Sequence, residues 1–125
     1  MERVIDTSII IAIARNNERV INYLLENHKN TTFYITAITR FELKCGRTKD
    51  IEDLYINMLK TLPFDDRSSD LAAYIYKELS KNGKTPNMKD LFIASICIAN
   101  NLTLMTLDRD FEIFKEFGLN VEILH

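Results

Sequence analysis

The stretch TPNMKDLFIASICIANNLTLMTLDRDF, residues 85–111, leaves few architectures open. Pro86 reads as a helix starter, because its fixed φ suits a first turn and its missing N–H costs nothing there. Asp90 follows, then a nearly unbroken apolar run from Leu91 to Ala99. A helix that is apolar on every side is covered all round, between the layers of a domain or at a contact between subunits. Asn100 and Asn101 close it, and Leu102 to Met105 read as a short buried strand. Thr106, Leu107, Asp108, Arg109, Asp110 and Phe111 leave the end of that strand. An acid therefore opens the helix, and two more stand where the next strand stops. Ligands of open α/β folds bind at that edge of the sheet.

The rest of the chain repeats the alternation. Arg3 to Asp6 is a strand with Asp6 at its end, Thr7 and Ser8 are natural helix caps, and Ile9 to Ala14 is a short helix. A second helix over 18–29 turns Val20, Ile21, Leu24 and Leu25 inward. Thr32 to Ile35 is β-branched and aromatic, as strands are. Helices follow over 36–47, closed at Gly46, and over 50–58 with Ile51, Leu54, Tyr55 and Met58 inward. Leu62-Pro63-Phe64 is strand-like at a sheet edge, since proline cannot donate to a ladder. A long amphipathic helix over 68–81 stops near Gly83, a short one covers 111–116, and 120–124 is a last strand. This order predicts an α/β fold: a central, mostly parallel sheet with helices on both faces, in one domain spanning 1–125.

Composition excludes several classes. The formal net charge is −2, so no general basic surface marks a nucleic-acid binder, and any such role must come from a site. No apolar stretch approaches the roughly 20 residues of a membrane helix. The apolar N-terminus lacks a basic run and is broken by Asp6, which argues against a leader peptide and for a cytoplasmic protein. Cys45 and Cys97 form no CxxC pair and read as buried free thiols in a reducing compartment. His28 and His125 are isolated, belong to no metal-spaced pair, and are expected at the surface.

Chemistry is left to the acids Asp6, Glu42, Asp90 and Asp108, with Asp110 as a possible fifth. Each also has a structural account. Asp6 and Asp108 stand where helix caps stand, Thr39-Arg40-Phe41-Glu42 matches a capping box, and Asp90 favours the dipole at its helix start. Their joint placement adds to this. Asp6 and Asp108 directly follow strands, and Glu42 lies in the helix after the second strand. Periodicity alone does not bring Asp90 into the group. Carboxylates gathered at one edge repel and take up protons unless a cation relieves them. Oxygen-only donors suit Mg²⁺ or Mn²⁺ rather than zinc. Such an ion lowers the pKa of bound water and stabilises charge on a phosphate oxygen. Thr7, Ser8 and Thr106 are placed either to orient those carboxylates or to cap helices. Arg40, Lys44, Arg47, Lys89 and Arg109 lie close by in sequence, as contacts to a phosphate backbone or as solvated helix faces.

At this point the chain resembles the PIN-domain family and, within it, the VapC-type toxins of toxin–antitoxin pairs. The matching pieces are VIDTS from Val4, ITRFEL from Ile38, LPFD from Leu62, DLFIA from Asp90 and TLDRDF from Thr106. In order and spacing they span essentially the whole chain. The resemblance implies a three-layer α/β/α sandwich and an Mg²⁺- or Mn²⁺-dependent endoribonuclease. Its acidic quartet falls on Asp6, Glu42, Asp90 and Asp108, with Asp6, Asp90 and Asp108 on the metal. It also implies an RNA substrate, a cognate antitoxin and a homodimer. Arg40-Phe41 departs from the small or aliphatic residues frequent before the Glu. The rival readings are a PIN-like module that binds RNA or protein without cutting, a housekeeping RNA-processing nuclease, and a phosphoacceptor receiver. The last lacks an acidic neighbour beside Asp6.

Overall fold

The computed structural model describes residues 1–46 and 56–125. Five strands form one sheet: β1 (Glu2–Ile5), β2 (Thr32–Thr36), β3 (Lys60–Leu62), β4 (Thr103–Thr106) and β5 (Val121–Ile123). Their order is β3-β2-β1-β4-β5, and every neighbouring pair is parallel. The helices are α1 (Thr7–Ala14), α2 (Glu18–Asn27), α3 (Ala37–Cys45), α4 (Asp66–Lys81) and α5 (Met88–Ala99), followed by a 3-10 helix over Arg109–Phe117.

The twofold period of a strand sorts side chains to opposite faces. Val4 and Leu104 point into one core, where they meet Ile75 and Leu79 of α4, Leu91, Ile93 and Cys97 of α5, and Phe111 and Phe114. Ile5, Ile35 and Met105 point into the other, under Ile9 and Ile10 of α1 and Val20 of α2. Helices thus cover both faces, as expected for a three-layer α/β/α sandwich. The apolar run 91–99 lies within α5, whose Leu91, Ile93, Ala94, Ser95, Ile96 and Cys97 are all buried.

Several local expectations shift. Asn87 caps α5 with its side chain, so Pro86 stands one residue before the cap rather than in the first turn. Helix α4 starts at Asp66, because Asp65 accepts the Ser68 N–H. The edge strand β3 ends just before Pro63, which keeps proline out of the ladder. The helix expected over 50–58 and Arg47 fall largely outside the described residues. Where its end is described, Ile56 is buried but Met58 is 72% exposed, since two residues carry a helix about 200° round its axis. Leu25 is likewise 68% exposed, and Tyr23 packs inward on α2 instead. Cys97 is buried and Cys45 exposed, both as free thiols.

His28, expected at the surface, is buried. Its Nε2 lies 3.1 Å from Glu122 Oε2, and its Nδ1 lies 3.0 Å from the Thr31 hydroxyl. Arg3 Nε donates to Glu122 Oε1 at 2.8 Å, and the Tyr23 hydroxyl donates to Oε2. This network ties α2 to β1 and β5, and no residue spacing announces it. Burial pushes the Glu122 carboxyl up, but the bonds from Arg3, Tyr23 and His28 outweigh it and hold the group below its ordinary range.

A carboxyl lowered on folding stabilises the fold above its ordinary value of 4.5 and loses that contribution as pH falls through the folded value. Glu122→Gln should therefore cost about 2 kcal/mol near neutral pH, as loss of a charge-assisted network does. Urea unfolding should show the gap to wild type closing below the glutamate range; a gap independent of pH would remove this role.

Candidate active site

The sheet order reverses at β1, with β2 on one side and β4 on the other. Loops leaving such a switch point part and open a crevice at the carboxyl edge. Asp6 leaves β1, and Thr106 and Asp108 stand at the end of β4.

Asp6 is 6% exposed and occupies the N-cap position of α1, yet its side chain makes no capping bond. Both Ser8 and Thr106 hydroxyls instead donate to its Oδ2 at 2.8 Å. Ser8 Oγ accepts the Leu107 N–H at 3.1 Å, and Thr106 Oγ1 accepts the Asp108 N–H at 3.0 Å. Each hydroxyl thus donates to the acid and accepts from the backbone leaving β4. Thr7 and Ser8 sit inside α1 rather than capping it. Burial pushes the Asp6 carboxyl above its usual range, and the Thr106 and Ser8 hydroxyls work against that rise.

Glu42 is not part of a capping box. The N-cap of α3 is Thr36, whose hydroxyl accepts the Thr39 N–H at 3.1 Å. With Thr39 inside the helix, Glu42 has no backbone amide to reach back to. Its Oε1 accepts from the Thr7 hydroxyl at 3.0 Å, and its Oε2 lies 4.0 Å from Lys89 Nζ.

Asp90 stands in the first turn of α5, where Asn87 Oδ1 accepts its N–H at 3.1 Å. Asp108 caps the 3-10 helix through Oδ1, which accepts the Asp110 N–H at 2.8 Å. Carboxylate oxygens of Asp90, Asp108 and Asp110 lie within 4.8 Å of one another. At that separation a pair of charges repels by roughly 3 kcal/mol at an effective dielectric of 20. The Asp90 carboxyl is pushed up to about 7, first by desolvation and then by the charges of Asp108, Asp6, Asp110 and Glu42. Asp6 stands outside the tight triple but within electrostatic reach of it. These carboxylates form an all-oxygen donor set, which fits Mg²⁺ or Mn²⁺.

The cations are dispersed. Arg109 is exposed on the rim, with contacts to Glu112 at 3.2 Å and to His125 at 3.2 Å. Lys89 stands beside Glu42. Arg40 donates to the Thr61 hydroxyl at 3.3 Å. Lys44 is exposed on the last turn of α3, and Arg47 lies outside the described residues. Sequence reading passed over Asn87, although Asn-Met-Lys-Asp is a legible cap with its acid three positions on.

A family model, PIN domain, matches residues 3–116. The chain is 47% identical over 96 residues to Ribonuclease VapC3 of Methanocaldococcus jannaschii, spanning 77% of this chain and 98% of that protein. It is 30% identical over 111 residues to Ribonuclease VapC2 of Rickettsia felis, spanning 82% and 83%. Among solved structures it is similar to VapBC2 from Rickettsia felis bound to a promoter DNA fragment, with a TM-score of 0.79 and 24% identity over 100% of both chains. DNA-bound VapBC from Salmonella typhimurium gives a TM-score of 0.81 at 23% identity over 98% of each. These two likenesses establish the fold. No helix among the described residues is long and apolar enough to cross a membrane.

Because the folded value of about 7 for Asp90 stands above its ordinary 3.8, this group favours the folded state at low pH and the contribution is lost as pH rises through 7. Asp90→Asn should therefore stabilise the metal-free protein near pH 8 by about 1–2 kcal/mol, discounted because the group is half-exposed. It should change little near pH 3.5, below the ordinary carboxyl value of 3.8. Thermal melts in EDTA at the two pH values test this, and identical profiles would refute the charge repulsion.

Proposed function

The chain belongs to the PIN domain family, and on that premise we propose that it is a VapC-type endoribonuclease. It hydrolyses RNA phosphodiester bonds with the help of Mg²⁺ or Mn²⁺ and acts as the toxin of a toxin–antitoxin pair. The carrying observation is the convergence of Asp90, Asp108 and Asp110, with Asp6 and Glu42 close enough to raise Asp90 further. The two curated relatives named as ribonucleases support the reaction class.

In this reading Asp6, Asp90 and Asp108 would hold the ion, with Asp110, the third member of the tight triple, beside them. Ser8 and Thr106 fix Asp6 Oδ2, so this acid would need little reorganisation to serve a bound ion. Thr7 fixes Glu42, which positions the attacking water. A divalent ion, when bound, lowers the pKa of water and stabilises the charge that develops on the phosphate. Lys89, Arg109, Arg40 and Lys44 steer the phosphate backbone without reading bases. The partners are an antitoxin protein and a second copy of the chain.

Asp6→Asn and Asp90→Asn should each lower RNA cleavage on the order of 10²-fold or more. Thr106→Val should lower it about 10–100-fold by releasing Asp6. Excess EDTA should stop cleavage, and added Mn²⁺ should restore it. Cleavage of labelled RNA, with circular dichroism as the folding control, reads all four. Undiminished activity in Asp90→Asn, or in EDTA, ends the proposal.

A further inference from the structure

Helix α4 buries Ser68, Ala72, Ile75 and Leu79 against the core and turns its other side to solvent. Asp66, Asp70, Ala73, Lys77 and Lys81 recur there at steps of four, three, four and four, so they share one face of the helix. All five are exposed. The face is acidic in its first half, basic in its second, and carries only a methyl group at its middle. Lys81 meets Glu78 at 3.1 Å in an exposed pair. The side chains of Asp70 and Lys77 have no ion-pair or hydrogen-bond partner among the described residues. They stand about 10 Å apart along the axis, too far to meet each other.

An open groove of ≈ 320 Å³ runs beside this face, between α4 and α5. Ser69, Ala73 and Tyr76 wall it on one side, Met88 and Phe92 on the other. Tyr76 and Met88 stand exposed at its rim, and Tyr74 is exposed close by on α4. Apolar surface rimmed by charge marks an interaction face. A phosphate backbone is repelled by Asp66 and Asp70 as much as it is drawn to Lys77 and Lys81. A helical partner has to present the same charges in the opposite order. A second copy of α4, laid antiparallel, already has that order.

We propose that this face is a two-fold contact between two copies of the chain, in which α4 packs antiparallel against its own copy. Residues 66 and 81, 70 and 77, and 73 and 74 are each equidistant from one midpoint of the helix. An axis through that midpoint therefore sets Asp70 opposite Lys77 of the copy and Asp66 opposite Lys81. It also sets the small Ala73 opposite the large Tyr74, so the helices approach closely and the aromatic rings cover the groove. In such an isologous contact every pair is made twice. The pair between Lys81 and Glu78 is solvent-exposed and weak, and it yields to the new one. The second copy is the partner given above; its face is assigned here by charge and shape, whether or not the chain cleaves RNA.

Sedimentation equilibrium on the full chain tests this, with circular dichroism as the folding control. It compares wild type with Asp70→Lys, Lys77→Asp, the double exchange Asp70→Lys/Lys77→Asp, and Ala73→Arg, all at exposed positions. Wild type should be a dimer. Each single reversal sets like charges face to face twice and should weaken association by about tenfold to 100-fold. The double exchange restores both attractions and should return association to within about threefold of wild type. At ~0.5 M salt these differences should shrink. Ala73→Arg, beside the axis, should give a monomer at any salt. A monomeric wild type overturns the contact. A dimer indifferent to the substitutions overturns this face, and a dimer weakened by the single reversals but not restored by the double exchange overturns the antiparallel pairing. The expected pattern in a wild type that fails to cleave RNA overturns the ribonuclease reading and leaves the contact standing.

Discussion

Mutual repulsion of carboxylates at the carboxyl edge of the sheet is the constraint on which the rest of this structure depends. Carboxylate oxygens of Asp90, Asp108 and Asp110 lie within 4.8 Å of one another, and like charges that close repel. The Asp90 carboxyl, pushed up to about 7 by desolvation and then by its acidic neighbours, registers that repulsion. Something has to hold the acids together before any cation arrives. Helix α5 does this for Asp90. Its buried Leu91, Ile93 and Ile96 stabilise the fold by about 1.5–3 kcal/mol each. The helix is apolar almost all round because it is clamped among α4, the 3-10 helix, α3 and β4. The clamp holds its first turn, and Asp90 with it, against like charges.

The two acids at opposite ends of the chain are held in different ways. Asp6 is buried, and two hydroxyls donate to one of its oxygens while accepting amide protons from the strand end beside it. Hydrogen bonds to a charged group contribute about 1.5–3 kcal/mol each, which offsets much of the cost of burying the carboxylate. Among the described residues no hydroxyl holds Asp90 in this way, and its half-exposed carboxyl answers to its neighbours' charges. Asp6 is therefore a fixed point of the site, and Asp90 is the group whose protonation follows whatever charge is placed nearby.

Much of this was legible in the residues, and the failures have physical reasons. The sheet was readable because β-branched runs alternate with helical periods and because Asp6 and Asp108 end strands. Asp90 looked like an exception, since its helix runs toward the start of β4. That direction is the reason it belongs. A helix feeding directly into a parallel strand runs antiparallel to it, so its first turn lies over the strand's far end. Twelve residues of helix span about 18 Å, against about 13 Å for the four residues of β4. The capping box at Thr39 failed for another reason: Thr36 offers the same hydroxyl three residues earlier, at the strand end where the backbone is already extended. The His28–Glu122 network was invisible because its members lie 94 residues apart and pair through packing rather than spacing.

Capping and chemistry are often set against each other as accounts of an acid at a helix start, and here the magnitudes show that they coexist. Asp6 and Asp108 hold N-cap positions, and Asp90 lies in a first turn. Three helix starts therefore direct their partial positive charge at one crevice. Each is worth about 0.3–1 kcal/mol to a nearby anion. Together they offset a minor part of the repulsion, and the Asp90 value of about 7 registers what is left uncompensated. Helix termini alone would have sufficed for one acid. For a cluster of this density the remaining imbalance is one that a hard divalent cation, or a proton, has to correct, and at neutral pH the proton is held only weakly.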